Sequence, residues 1–455
     1  MNPIMLYTMI SAFSLIMCVY FFRRAAGGLH IGRLNLLSIS FYLFAAQVFA
    51  GVVLIVLGFD QHYTMRVLIS RDSTVTTTYY VVMAVSALWP ACMLLFLKLF
   101  RIAPQKEYRV YLDKPVQNGD SRFAFWAVMA CSAVCIGLLA VLLVKIGYIP
   151  LLMLVHHPAD FSFALARIEI NSIFVINMYV RNILVLLAVP ALSYVAFAFA
   201  LTTRKWKWMA LAAVLIVASV ITKTFNFEKT PVVFHMLVYV LILVYYKGGI
   251  KLKWILPLLG VGAAIVLAFY AIMTQGVQHD LYNGVGGRLL FSQVGALSYN
   301  FDAFPSEFPY LMGRSFAPTI LKLIGIDPEL HLRSARLIME FYFPWNVYDG
   351  VAGVMNSFYI GEAYANYGWV GAAFSVVWTA FVLSGLYALT LKMRKTPVTL
   401  VFAAYFGVFA PLTTQGGFMD FVYNSSWLIT AAGLLLLEYG GSIAATVKKR
   451  LARRG

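Results

Sequence analysis

FAFWAVMACSAVCIGLLAVLLV, from Phe123 to Val144, runs for 22 residues without a charged side chain. As a helix it would rise roughly 33 Å at about 1.5 Å per residue, enough to cross a hydrocarbon core about 30 Å thick. Seven to nine runs of this kind are plain by eye, and the full reading places spans near 4–22, 34–58, 77–100, 123–147, 182–203, 208–222, 231–246, 254–274, 366–391, 398–415 and 426–446. The expected fold is therefore an all-α polytopic membrane protein with about 11 transmembrane helices. Composition agrees: the 455-residue chain is 62% hydrophobic and 12% charged, with a mean hydropathy of +0.82, whereas soluble domains are about one quarter charged. The pair 208–222 and 231–246 is the shortest, joined by a charged turn from Lys223 to Lys229. The cysteines (Cys18, Cys92, Cys131 and Cys135) all lie in apolar runs, so no disulfide framework is expected. The first run lacks a basic start and a small-residue cleavage site, and is expected to stay as a span.

Orientation follows from where Lys and Arg collect. One set of loops and the C-terminal tail carries 23 of the 35 basic residues with four acids; the opposite side holds 12 basic residues against 14 acids. The basic side is read as cytoplasmic, which puts the N-terminus outside and the C-terminus inside. The net charge of +17 is then an anchoring signal, and nucleic acid is not an expected partner. Three segments follow: helices with short loops over 1–274, one large exterior loop over 275–364, and the last helices with a basic tail over 365–455. A shorter exterior stretch, 148–181, interleaves Phe161, Phe163, Ala164, Ile168 and Ile170 with Asp160, Arg167 and Glu169, the pattern of a helix lying in the interface. No internal repeat is visible, which weighs against a transporter of inverted halves.

Charges at membrane level are costly and mark functional sites by default. Arg181, the Glu228–Lys229 pair and Glu362 stand at the outer ends of spans. The plainer readings remain open: Arg181 could snorkel, and Glu228 with Lys229 could be a local ion pair. The long loop adds Arg288 after Asn283-Gly284-Val285-Gly286-Gly287, Arg314 within Leu311-Met312-Gly313-Arg314-Ser315, and also Arg333 and Arg336. Guanidinium groups stay charged and grip phosphate oxygens in a bidentate fork, and neighbouring glycines allow a bulky anion to approach. The competing reading is surface arginines paired with Asp280, Asp302, Glu307 or Glu340. No Cys/His set has zinc spacing, no Gly-x-Ser-x-Gly elbow occurs, and no Asp-x-Asp pair lies on an exterior loop. No metal and no cofactor is expected.

The chain resembles the Wzy-type oligosaccharide repeat-unit polymerases of O-antigen and exopolysaccharide synthesis. The resemblance is carried by Phe225-Asn226-Phe227-Glu228-Lys229-Thr230-Pro231 opening a span and by Gly287-Arg288 through Phe304-Pro305. It continues in Tyr310 to Ser315 and, most specifically, in Gly361-Glu362-Ala363-Tyr364-Ala365-Asn366-Tyr367-Gly368-Trp369-Val370-Gly371. It implies a GT-C-like architecture in the bacterial inner membrane and a metal-independent, inverting block transfer at the periplasmic face. The donor would be a glycan on undecaprenyl diphosphate, the acceptor another lipid-linked repeat unit, and a chain-length regulator and a flippase would be further partners. Departure of the diphosphate calls for cations; Arg288 and Arg314 come first, then Arg167, Arg181, Lys229 and Arg336. A base for the attacking hydroxyl would be Glu362 or Asp302, and Trp345, Tyr348 and Tyr342 could stack on sugars or belong to an aromatic belt at the membrane interface. Two alternatives stand beside this. An O-antigen ligase would use a loop histidine, for which only His279 and His331 are present. A lipid-linked oligosaccharide flippase would spread charge through its spans.

Overall fold

A computed structural model describes residues 3–117, 122–156, 161–228, 230–273, 282–348 and 353–451. Every regular element among them is helical. Among the described residues, nine helices are long and apolar enough to cross a membrane: Pro3–Arg33, Leu36–Val56, Arg71–Leu99, Arg122–Ile146, Met178–Thr203, Trp206–Lys223, Thr230–Lys247, Tyr359–Lys392 and Met419–Gly440. The expected all-α, multi-pass architecture is what the chain forms. The short pair is present as two helices of 18 residues each. Two further expected spans are helical but shorter in their apolar part, Leu252–Ala264 and Pro397–Thr413.

The chain forms two compact units. One comprises Met1–Arg109, Gly276–Leu391 and Phe406–Asn424. Its core is aromatic: Trp89 is fully buried and meets Phe22, Phe44, Phe358 and Tyr359 at ring-centroid distances of 5.5–5.8 Å. The Trp89 indole N–H donates to Thr379 Oγ1 at 3.1 Å, the partner that a buried indole needs. Helix Arg71–Leu99 is thereby pinned to helix Tyr359–Lys392. Asn35 caps the second helix through a reciprocal bond with Ser38, satisfying donors that a helix start leaves open.

Helix Tyr359–Lys392 is broken by non-helical backbone at Tyr367 (φ −137°, ψ 18°) and Gly368 (φ 60°, ψ −148°). The Gly368 conformation is one that side chains exclude, and a Cβ there would also press on the Tyr310 ring at 3.0 Å. The break separates a short turn bearing Glu362 from the long apolar helix beyond it. The stretch expected as a large loop is built from short helices between Val285 and Tyr348.

The other unit comprises Val110–Gln275, Lys392–Tyr405 and Ser425–Gly455. Phe199 stacks on Trp208 at 4.3 Å and 9°. Between helices, His235 is buried with the Tyr194 hydroxyl at Nδ1 and Ser219 Oγ, 2.9 Å away, at Nε2. Lys395 Nζ donates to the carbonyls of Tyr111, Leu112 and Lys114 at 2.9, 3.0 and 2.7 Å, a cation closing the C-terminal end of a short helix. Burial pushes this amine down to about 8. The amphipathic stretch forms helix Phe163–Ser172, capped by Ser162. Phe163, Ala166 and Ile170 are buried, but Ile168 is exposed, because the helical period puts it on the face of Arg167 and Glu169. Asp160 lies outside the described residues.

Candidate active site

Asn366 organises the site. Its side-chain amide donates to the Glu362 carbonyl at 2.8 Å and to Ser315 Oγ at 3.0 Å, and its Oδ1 accepts from Gly313 N at 3.1 Å. Leu311 N and Met312 N add bonds of 3.0 Å to the carbonyls of Ala365 and Asn366. The turn carrying Arg314 is thus fastened to the turn carrying Glu362. Ser315 Oγ donates to the Leu332 carbonyl, and Leu332 N to the Arg314 carbonyl. These bonds set Arg333, the next residue, against Glu362.

Glu362 is buried at 2% exposure. Its Oε2 accepts from Met419 N at 3.0 Å. Its Oε1 has no hydrogen-bond partner among the described residues and faces Arg333 Nε at 3.8 Å. Arg333 Nη2 donates to the Gly416 carbonyl at 3.0 Å and lies 3.6 Å from Asp420 Oδ2. One guanidinium thus stands between two carboxylates, and it is about a third exposed (32%), so the assembly opens to its surroundings through Arg333 and Asp420. Gly417 sits at φ +132° with its missing Cβ directed at the Glu362 carboxylate. Both facts require glycine: the backbone lies where L side chains rarely go, and the carboxylate occupies the space a methyl would take.

Asp302 is differently employed. Its oxygens accept from Ile69 N (2.7 Å), Ser70 N (2.9 Å), Thr74 Oγ1 (2.9 Å) and Tyr342 Oη (2.7 Å). An anion at the start of helix Arg71–Leu99 is favourably placed against the helix dipole, and four donors occupy its lone pairs. Burial, with the adjoining Asp302 carboxylate, pushes the Tyr342 phenol well above its ordinary range, which keeps it a donor. Where it stands, Asp302 fastens a helix start, and Tyr342, stacked on Tyr299 at 4.3 Å, belongs to the same anchor. Trp345 and Tyr348 are highly exposed.

The arginines divide between the units. Arg288, Arg314 and Arg336 belong with Glu362. Arg288 is exposed on the short helix Val285–Leu290, Arg314 Nε donates to the Leu311 carbonyl at 3.2 Å, and Arg336 pairs with Glu340 at 2.6 Å. Arg167 and Arg181 belong to the other unit. Arg167 pairs with Glu228 at 2.5 Å, so Glu228 is engaged across the fold. Arg181 is buried at 5% and donates to the carbonyls of Ile170, Asn171 and Ile173, capping the end of helix Phe163–Ser172. Lys229 and His279 lie outside the described residues, and His331 Nδ1 lies 2.8 Å from the Phe316 carbonyl oxygen. The described residues contain no group of three or more His, Cys, Asp or Glu able to hold a metal.

Sequence reasoning named Arg333 among the loop arginines but left it out of the diphosphate-binding set, and passed over Asp420 and Gly417. A signal exists: Thr413-Thr414-Gln415-Gly416-Gly417-Phe418-Met419-Asp420 is a polar, glycine-paired break between two apolar runs. Comparison with protein-family models, with curated proteins and with solved structures found no match.

Proposed function

We propose that this chain is a multi-pass glycosyltransferase that polymerises undecaprenyl-diphosphate-linked oligosaccharide repeat units at the exterior face of a bacterial inner membrane. The observation that carries the proposal is the buried Glu362 carboxylate, with one oxygen held by Met419 N and the other unbonded and turned toward Arg333. A carboxylate fixed by one oxygen and open at the other is suited to take a proton. The acceptor hydroxyl attacks the anomeric carbon of the donor sugar from the face opposite the diphosphate and gives its proton to Glu362. The bond to the diphosphate breaks with inversion, and undecaprenyl diphosphate leaves with the bonding pair. Its developing charge requires fixed cations; Arg333, facing Glu362, and Arg314, whose turn is tied to it through Leu332, are offered for this, with Arg288 and Arg336 on the same unit. The exterior assignment rests on the asymmetry of basic residues.

The test is Glu362→Gln, nearly isosteric and unable to accept the proton. Cells expressing it at wild-type level should accumulate single lipid-linked repeat units and lose the polymer ladder. A normal ladder would remove Glu362 from the mechanism.

A further inference from the structure

Ten buried side-chain polar atoms find no hydrogen-bond partner among the described residues, and their distribution is uneven. Four are Asn300 Oδ1, Asn356 Oδ1, Glu362 Oε1 and Gln415 Nε2. A fifth is the hydroxyl of Tyr359, whose ring packs on Trp89. The four come from three stretches of chain that meet at one turn, Asn356 and Glu362 sharing one of them. The Asn300 amide lies 2.8 Å from where a Cβ on Gly361 would be, and Ser357, next to Asn356, approaches the same point at 2.6 Å. Gln415 follows Thr414, whose carbonyl accepts from Tyr359 N at 2.8 Å. Leaving a buried polar group unpaired costs about 1–3 kcal/mol, and native proteins keep few of them. Three amides around one turn, beside the open Glu362 carboxylate oxygen, amount to a set of partners awaiting a ligand.

The geometry points to a binding subsite for a neutral, polyhydroxylated ring at this turn, the acceptor sugar in the reaction proposed above, on which the inference rests. The chemistry selects the ligand. Hydroxyls both donate and accept, which suits a carboxylate acceptor set among amides that can do either, whichever way those amides are turned. A phosphate carries no donor at neutral pH and would meet the Glu362 oxygen with repulsion, so this turn is not where the diphosphate goes. The assignment puts the acceptor on the amide side of Glu362 and the leaving group on the arginine side, as attack and departure on opposite faces of the anomeric carbon require.

The experiment uses the full chain in lipid nanodiscs and the free repeat-unit oligosaccharide released from the source organism's own polysaccharide, with binding followed by saturation-transfer NMR and inorganic pyrophosphate as a separate probe. Gln415→Leu and Asn356→Leu should each weaken oligosaccharide binding about tenfold, the worth of one good hydrogen bond, and leave pyrophosphate binding unchanged. Their thermal midpoints should hold or rise, since an unpaired buried group is removed, and a merely structural role would lower them. Wild-type binding by both variants, or no binding by the wild type, would overturn the subsite and leave these atoms to water alone. The polymerase reading is judged separately by Glu362→Gln: polymer persisting while the leucine variants lose the oligosaccharide would sink the base assignment and keep the sugar site.

Discussion

Gly417 has no side chain because Glu362 needs the space: a Cβ built on its backbone meets the carboxylate, one oxygen of which is bonded to Met419 N two residues further on. Gly417→Ala should therefore displace the carboxylate and strain the loop, at a backbone cost of about 1–3 kcal/mol. Polymer should be lost while membrane insertion persists. Immunoblots of membrane fractions beside glycan ladders check this, and a full ladder from the alanine variant would show that the carboxylate can move without consequence.

Arg333→Gln removes the cation that faces Glu362 and Asp420. Transfer should fall about 100–1,000-fold, as when a fixed donor to a developing charge is lost. Arg333→Lys should recover only part, since an ammonium cannot repeat the span between Gly416 and the two carboxylates. Rates of transfer by purified protein decide it, and equal rates in Gln and wild type would assign the guanidinium to packing.

Asp302→Ala should behave in the opposite way. It strips a partner from Ile69 N, Ser70 N, Thr74 and Tyr342, and each buried orphan costs about 1–3 kcal/mol. The yield of folded protein and the unfolding midpoint should drop, while activity per folded molecule stays close to wild type. A loss of turnover at unchanged midpoint would return Asp302 to the list of bases.

Among the loop arginines the effects should separate. Arg314→Ala, in the turn tied to Asn366, should shorten or abolish the glycan. Arg336→Ala breaks an exposed pair with Glu340, worth about 0.3–0.5 kcal/mol, and a 3.4 Å bond to the Gly353 carbonyl, and should leave the ladder intact. Matched expression and glycan length are the readout; identical phenotypes would contradict the ranking.

A reporter fused after Lys395 should signal the cytoplasm and one after Ser315 the exterior, following the division of basic residues. A cytoplasmic signal at Ser315 would reverse the orientation and remove the exterior reaction with it.

The spans are legible because twenty apolar residues in a row leave a chain few other places to go, and the break at Tyr367–Gly368 falls one residue past the expected start of the ninth span. Glu362 is legible as a carboxylate at a span end. Arg181 shows the limit: a lone membrane-level charge reads as functional, yet three carbonyls at a helix end already absorb it. Asp302 shows the same limit, since nothing local discloses that three of its four donors lie 228 to 233 residues earlier in the chain. Gly417, Asp420 and Arg333 escape because their meaning is relational. Each becomes informative only when the fold sets it against Glu362.

The interruption at Gly368 has a mechanical result. A continuous helix would carry any change of tilt in the apolar rod directly into the turn that holds the carboxylate. With the backbone bent out of helical geometry at Tyr367 and Gly368, a lean of the rod to suit bilayers of different thickness need not carry with it the turn that Asn366 fastens. Substitutions that shorten or lengthen the apolar rod should then leave the Glu362 turn undisturbed, and damage to the two ends should be separable along a single helix.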